Sequence, residues 1–199
     1  MTSMAESARP WRLFWAVPLP AELRDALAAF VVDLRGIPGV DDDWRFTNAG
    51  SWHITLAFLG VTEPATVAPM IQRVRDTLLP FQAGRCEAGG LGGFPRGDRA
   101  RVLWYGIDDA DGHLAAMAEA VQEAAGLEPA AAFYPHVTLA RSRDRRGARP
   151  PVPRVAPPEA GIGVDEVVLF RSHLGAGPAR YETVAQVTLR ASSLAGSAS

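Results

Sequence analysis

The sequence predicts an α+β fold of two similar lobes, with antiparallel sheets around a central groove and helices outside. Three observations predict it. His53-Ile54-Thr55-Leu56-Ala57 and His136-Val137-Thr138-Leu139-Ala140 are near-copies, and they take two of the four histidines in the chain. A helix-period segment precedes each copy, which suggests an internal duplication. The remaining segments read in the order β-α-β-β-α-β-β-α-β-β-β, and runs of adjacent strands favour antiparallel pairing.

Each copy alternates His, aliphatic, Thr, aliphatic, which is strand periodicity. Side chains at i and i+2 share a face, so His and Thr point one way and the aliphatic pair the other. The imidazole and hydroxyl then lie about 6–7 Å apart, from two strand rises. Two such strands side by side would gather two imidazoles and two hydroxyls in one cleft.

The elements follow in order. Trp11 to Pro18 reads as a strand. Pro20 to Leu34 reads as a helix, with proline in the first turn, Glu22 at the positive end and Gly36 as the stop. Leu23, Leu27, Phe30, Val31 and Leu34 form its apolar stripe. Gly36 to Asp43 is expected to be a turn. Its three aspartates lack calcium-loop spacing and read as a solvated loop. Trp44 to Thr47 is a short strand, and the first His strand runs to Leu59 with Gly60 closing it.

Thr62 to Leu79 is helical, with Pro64 and Pro69 confining regular helix to its latter part, where Ile71, Val74 and Leu78 align. Phe81 to Glu87 is a strand. Gly89 to Gly97 reads as a flexible loop, because no helix follows its glycines as a dinucleotide fingerprint requires. Arg101 to Ile107 is a strand and Asp111 to Ala125 a helix, with His113 as a surface histidine in its first turn. Phe133 to Arg141 holds the second His strand. Ser142 to Pro158, rich in Arg and Pro, is expected to be a mobile exposed loop, with anion contact beside the cleft as the alternative. Val164 to Ser172 and Tyr181 to Leu189 are the last strands, with His173 as a structural or surface residue. The expected organisation is a flexible N-terminus over 1–10, one bilobal domain over 11–189 and a disordered tail over 190–199.

Composition narrows the function. The 199 residues carry a formal net charge of −2, which argues against binding duplex nucleic acid through a broad basic surface. A small anionic ligand, or one end of a nucleic acid, remains compatible. All twenty cationic side chains are arginine. A phosphate would therefore meet Arg forks, hydroxyls, imidazoles or backbone amides. The single cysteine, Cys86, allows no internal disulfide and reads as a buried hydrophobe. With no secretory signal and no membrane-spanning segment, a cytoplasmic location is expected.

Two histidines around one site can divide acid and base work, because unperturbed imidazole titrates near pH 6.5. That suits phosphodiester hydrolysis, with one ring activating water and the other protonating the leaving oxygen. Threonine hydroxyls would hold the non-bridging oxygens and an arginine would neutralise charge. No metal and no cofactor are expected: two histidines fall short of the usual three protein ligands of zinc. A Ser-His-Asp hydrolase lacks its nucleophile-elbow glycines.

The chain resembles the two-histidine (2H) phosphoesterases, and within them the RNA 2′,3′-cyclic phosphodiesterases also called 2′-5′ RNA ligases. Besides the His motifs, the likeness includes Arg12-Leu13-Phe14, Pro18-Leu19-Pro20, Phe58-Leu59-Gly60 and Gly93-Phe94-Pro95. It extends through Pro135, Arg141, Leu169-Phe170-Arg171-Ser172 and Gly177 to Tyr181. The resemblance implies a LigT-like two-lobed fold and opening of an RNA terminal 2′,3′-cyclic phosphate to a 2′-phosphomonoester. It implies His53 as proton donor, His136 as proton acceptor, and Thr55, Thr138 and Arg141 as phosphate-binding residues. The partner it implies is an RNA 3′ end or a cyclic-phosphate nucleotide; separately, a monomer without a protein partner is expected. Two other readings stay open: the same chemistry on a small nucleotide such as an ADP-ribose derivative, and a non-catalytic module that binds nucleotide phosphate.

Overall fold

The computed structural model describes residues 10–129, 132–173 and 179–191. Among the described residues nine strands form one curled antiparallel sheet. They are β1 (Trp11–Pro18), β2 (Trp44–Phe46), β3 (His53–Thr62), β4 (Gly84–Phe94), β5 (Val102–Asp108), β6 (His136–Ser142), β7 (Ala160–Val164), β8 (Glu166–His173) and β9 (Arg180–Thr188). The order across the sheet is β7-β4-β5-β6-β3-β1-β8-β9, and β2 pairs with β6 beside this path. The two expected sheets are thus halves of one, and each half contributes its His strand to the seam. β3 meets β6 there through the single partner pair Ile54 and Val137.

Period-two alternation sets which face is which. Ile54, Leu56, Val137 and Leu139 are buried in the core, while His53, Thr55, His136 and Thr138 remain half-exposed on the other face. Burying each of those aliphatic side chains contributes about 2 kcal/mol.

Among the described residues four α-helices accompany the sheet: α1 (Ala21–Arg35), α2 (Val40–Asp43), α3 (Pro64–Leu78) and α4 (His113–Ala124). The apolar stripe of α1 is buried as its periodicity requires. The start of α4 is capped by the Asp109 carboxylate, which accepts from Leu114 N at 2.9 Å and Ala115 N at 2.8 Å. α4 packs on α3 and on β3, and its Gln122 reaches the main chain of the His strand, donating to Leu56 O at 2.7 Å.

Several local expectations are corrected. Residues 40–43 form a helical turn rather than an open loop. α3 is regular from Pro64 onward and carries Pro69 inside it. Pro64 occupies a position whose N–H would be unbonded anyway, and Pro69 forfeits one bond only. Its buried stripe is Val67, Met70, Val74 and Leu78, with Ile71 at the margin.

β3 continues past Gly60, whose φ of 65° the glycine tolerates, to Thr62. The glycine run is strand as far as Phe94, within β4, and only 95–97 remain outside it. A Cβ on Gly92 would fall 2.2 Å from the Trp104 ring, so the glycine makes room for that indole on the neighbouring strand. β7 is a strand of its own, separate from β8.

The stretch after β6 is anchored, since Ala100 and Ala148 exchange two backbone hydrogen bonds and Trp44 Nε1 donates to Arg149 O. His113 is half-buried, and its Nε2 is buried without a hydrogen-bond partner. His173, at the exposed end of β8, pairs with Glu182 at 2.7 Å. Cys86 is buried. The N-terminal expectation over 1–9 and that for 192–199 lie outside the described residues, whereas Arg190 is ordered in a bridge with Gln82.

Candidate active site

The seam brings both His-x-Thr pairs together. In the register set by Ile54 and Val137, His53 stands across from Thr138 and Thr55 across from His136. The two histidines then lie on a diagonal of the antiparallel pair, where neighbours are about 7–8 Å apart. That spacing leaves room for one phosphate. The rings sense each other, because charge on His136 lowers the pKa of His53.

Each imidazole is held in the same way. His53 Nδ1 bonds Ser51 O at 2.7 Å, and His136 Nδ1 bonds Tyr134 O at 2.6 Å. A carbonyl only accepts, so Nδ1 carries the proton in both rings and Nε2 is left for the cleft. Both carbonyls lie two residues upstream of their histidine, so the motif repeats its support as well as its side chains.

Aromatic rings fix the orientation. Phe14 stacks on His53 at 4.7 Å, and Tyr181 meets it edge-on at 5.5 Å. Phe94 meets His136 edge-on at 5.2 Å, with Trp104 at 6.4 Å. These rings shield the imidazoles from part of the solvent. Burial, the largest cause, pushes His53 down to about 4, opposed by the Ser51 carbonyl and reinforced by His136. Burial likewise lowers His136, opposed by the Tyr134 carbonyl and reinforced by Arg141. Both rings are therefore neutral at pH 7 in the free protein.

The depressed His53 predicts a pH-dependent stability. Its folded pKa of about 4 lies below the ordinary 6.5, so the unfolded chain binds the proton more tightly. Stability is full above pH 6.5 and declines as pH falls toward 4, by at most about 3 kcal/mol. Urea titrations at pH 7.5 and 4.5 check this. The His53→Gln variant is expected to lose less between those pH values than the parent, and equal losses would contradict it.

Arg141 reaches the same cleft. It lies five residues past His136, which strict alternation would put on the opposite face. A bulge corrects this: β5 pairs Trp104 with Thr138 but Leu103 with Ala140, leaving Leu139 unpaired. Leu139 and Ala140 are consequently both buried, and Arg141 returns to the face of His136 and Thr138. Its charge acts on His136 and, from the other half of the sheet, on Tyr181. β3 repeats the device, pairing Ala57 with Trp15 but Thr55 with Ala16, which turns exposed Phe58 to the cleft.

Sequence reasoning missed Thr47, which secures the bulge. Its N–H donates to Leu139 O, its hydroxyl lies 2.9 Å from the carbonyls of Thr138 and Leu139, and Trp52 Nε1 donates to that hydroxyl at 2.8 Å. It also missed a cavity of about 390 Å³ beside His53, lined among others by Asn48, Ser51, Trp52, Phe170, Arg180 and Tyr181. That volume suits a nucleoside-sized ligand. Among the described residues, neither Thr55 nor Thr138 spends its hydroxyl on a protein hydrogen bond. No group of three or more His, Cys, Asp or Glu there could hold a metal ion, and no helix there is long and apolar enough to cross a membrane.

Residues 23–176 match the model of the 2′-5′ RNA ligase superfamily. An Aeropyrum pernix protein named RNA 2′,3′-cyclic phosphodiesterase is 35% identical over 130 residues, 63% of this chain and 67% of that one. A Thermus thermophilus protein of the same name is 31% identical over 90% of each chain. Among solved structures, Escherichia coli LigT complexed with 3′-AMP superposes with a TM-score of 0.72 at 25% identity, covering 90% of this chain and 98% of that one.

Proposed function

The chain belongs to the 2′-5′ RNA ligase superfamily, and from that premise we propose that it hydrolyses RNA terminal 2′,3′-cyclic phosphate to a 2′-phosphomonoester. One observation carries the reading. Two imidazoles on neighbouring strands, each tied through Nδ1 to a carbonyl two residues upstream, leave Nε2 as the nitrogen available to a phosphate between them. His136 takes a proton from water as the water oxygen bonds to phosphorus. His53 gives a proton to O3′ as the P–O3′ bond breaks, so the phosphate stays on O2′. Thr55 and Thr138 donate to the non-bridging oxygens, and Arg141 offsets the charge gathering there. The nucleoside that bears O3′ lies on the His53 side, against the aromatic-walled cavity.

An acid must be protonated, and His53 is neutral at pH 7 in the free protein. The substrate supplies the remedy. A phosphate anion within about 4–6 Å raises an imidazole pKa by about 1–3 units. The pH profiles should therefore separate. The kcat/KM profile reports the free protein and is expected to fall as pH rises through values below 6.5. The kcat profile reports the complex, and its alkaline limb is expected about one unit or more higher. Steady-state rates from pH 4 to 9 check this, and coincident limbs would contradict it.

Product analysis is the decisive assay. RNA ending in 2′,3′-cyclic phosphate is incubated with the protein in EDTA. Turnover in EDTA is expected, because both proton transfers are assigned to imidazoles, and the product should carry its phosphate on 2′, because O3′ is the leaving oxygen. A 3′-phosphate product would overturn the assignment of the leaving oxygen. Binding without turnover would favour a non-catalytic module.

A further inference from the structure

Arg45 faces Arg141. They are Cα partners across β2 and β6, and both are exposed. The flanking residues place Arg45 on the cleft face: Trp44 is buried, and Phe46 pairs with buried Ala140 and packs on the core. Arg141 pairs on its other side with Val102, two residues from Trp104 on the same face. Two like charges directly opposite each other in an antiparallel pair destabilise it.

Among the described residues no carboxylate forms an ion pair with either guanidinium group. Asp41 pairs with Arg35 and Asp144 with Arg99, and Asp43, two positions upstream, does not pair with Arg45. An anion lying between the two guanidinium groups would turn that repulsion into a clamp.

The placement says which anion. Thr138 and Arg141 are three residues apart, with one residue taken up by the bulge at Leu139, so two strand rises, about 6–7 Å, separate them. Arg45 lies one further strand away from His136. That is beyond the reacting phosphate and about one nucleotide step along the strand. We infer that Arg45 binds a second phosphate group of the substrate, one nucleotide from the cyclic phosphate, with Arg141 lying between the two phosphates and shared by both, and so sets a preference for oligonucleotides over mononucleotides. This rests on the reading of the site as a cyclic phosphodiesterase. The chemistry is a phosphate, whether an internucleotide diester or a terminal 5′-phosphate.

The test compares three substrates with the parent chain and Arg45→Ala. They are a nucleoside 2′,3′-cyclic phosphate, the same compound with a 5′-phosphate, and a dinucleotide ending in the cyclic phosphate. Arg45→Ala is expected to lower kcat/KM on the dinucleotide by about tenfold more than on the unphosphorylated mononucleotide. A matching loss on the 5′-phosphorylated compound identifies a terminal phosphate as sufficient; its absence identifies the diester as required. The dependence of log kcat/KM on log salt should also flatten by about 0.7 for the dinucleotide, the share of one single-strand phosphate contact. Equal losses on all three substrates, or no loss on any, would overturn the clamp.

Calorimetric binding of 2′-nucleotides with and without a 5′-phosphate or a 5′-linked nucleotide gives the same comparison without turnover. If the parent opens no cyclic phosphate, the functional reading fails while the clamp is still decided by those isotherms. Affinities that Arg45→Ala leaves in the parent's ratio would refute it.

Discussion

Alanine at His136 is expected to lower kcat on an RNA 2′,3′-cyclic phosphate by roughly a hundredfold or more, and alanine at His53 to do the same. The magnitude follows from what each ring alone supplies. Its Nδ1 proton is committed to a carbonyl, so Nε2 is the one nitrogen able to exchange a proton in the cleft. No other titratable side chain of the two motifs can substitute, since their remaining residues are aliphatic or threonine. The two losses should not multiply. Acid and base serve one in-line displacement, and removing either leaves the other with little to do, so the double variant should fall close to the worse single one. Single-turnover rates on one labelled oligonucleotide, with binding measured separately, check the pattern. If both histidines were only half-buried strand residues, stability would change and turnover per folded molecule would not. Full activity in the double variant would sink the mechanism.

Gly147→Val is expected to cost about 3 kcal/mol of folding stability, the largest loss foreseen for a residue outside the cleft. Two terms add. Gly147 has φ of 87°, a conformation that costs a β-branched residue about 1–3 kcal/mol. A Cβ there would also lie 2.8 Å from Ala100 O and 3.0 Å from Ala100 C, which are backbone atoms held by the paired bonds to Ala148. For a chain of this length the melting temperature should drop by about 6–12 °C. Gly112→Ala separates the terms: φ is 68° and nothing lies within 4 Å of the added carbon, so only the conformational cost of about 1 kcal/mol applies. Thermal unfolding of both variants beside the parent checks this. Equal losses would mean that the contact with Ala100 is not rigid.

The anchoring of that turn shows where sequence reasoning stopped. Arginine and proline between Ser142 and Pro158 read as a mobile loop, because composition reports solvation and turn chemistry. The bonds that hold the segment come from Ala100, Trp44 and Tyr105, all distant in sequence. The glycine run of β4 failed for the same reason. Glycine weakens a strand in isolation, and only the Trp104 indole on β5 explains why it is needed there.

The amino-acid sequence by itself determined the chemistry-bearing pattern. Alternation over three residues decides which side chains share a face, and that rule is local, so the pairing of His53 with Thr55 and of His136 with Thr138 was legible before any coordinates. So were the helix before each motif and the apolar stripe of α1. Tertiary structure alone decided that β3 and β6 meet at Ile54 and Val137, that a carbonyl fixes each imidazole, and that the bulge at Leu139 swings Arg141 onto the cleft and opposite Arg45. The physical reason is that a bulge is defined by a mismatch between two strands. No single strand's sequence carries the count of residues on its partner.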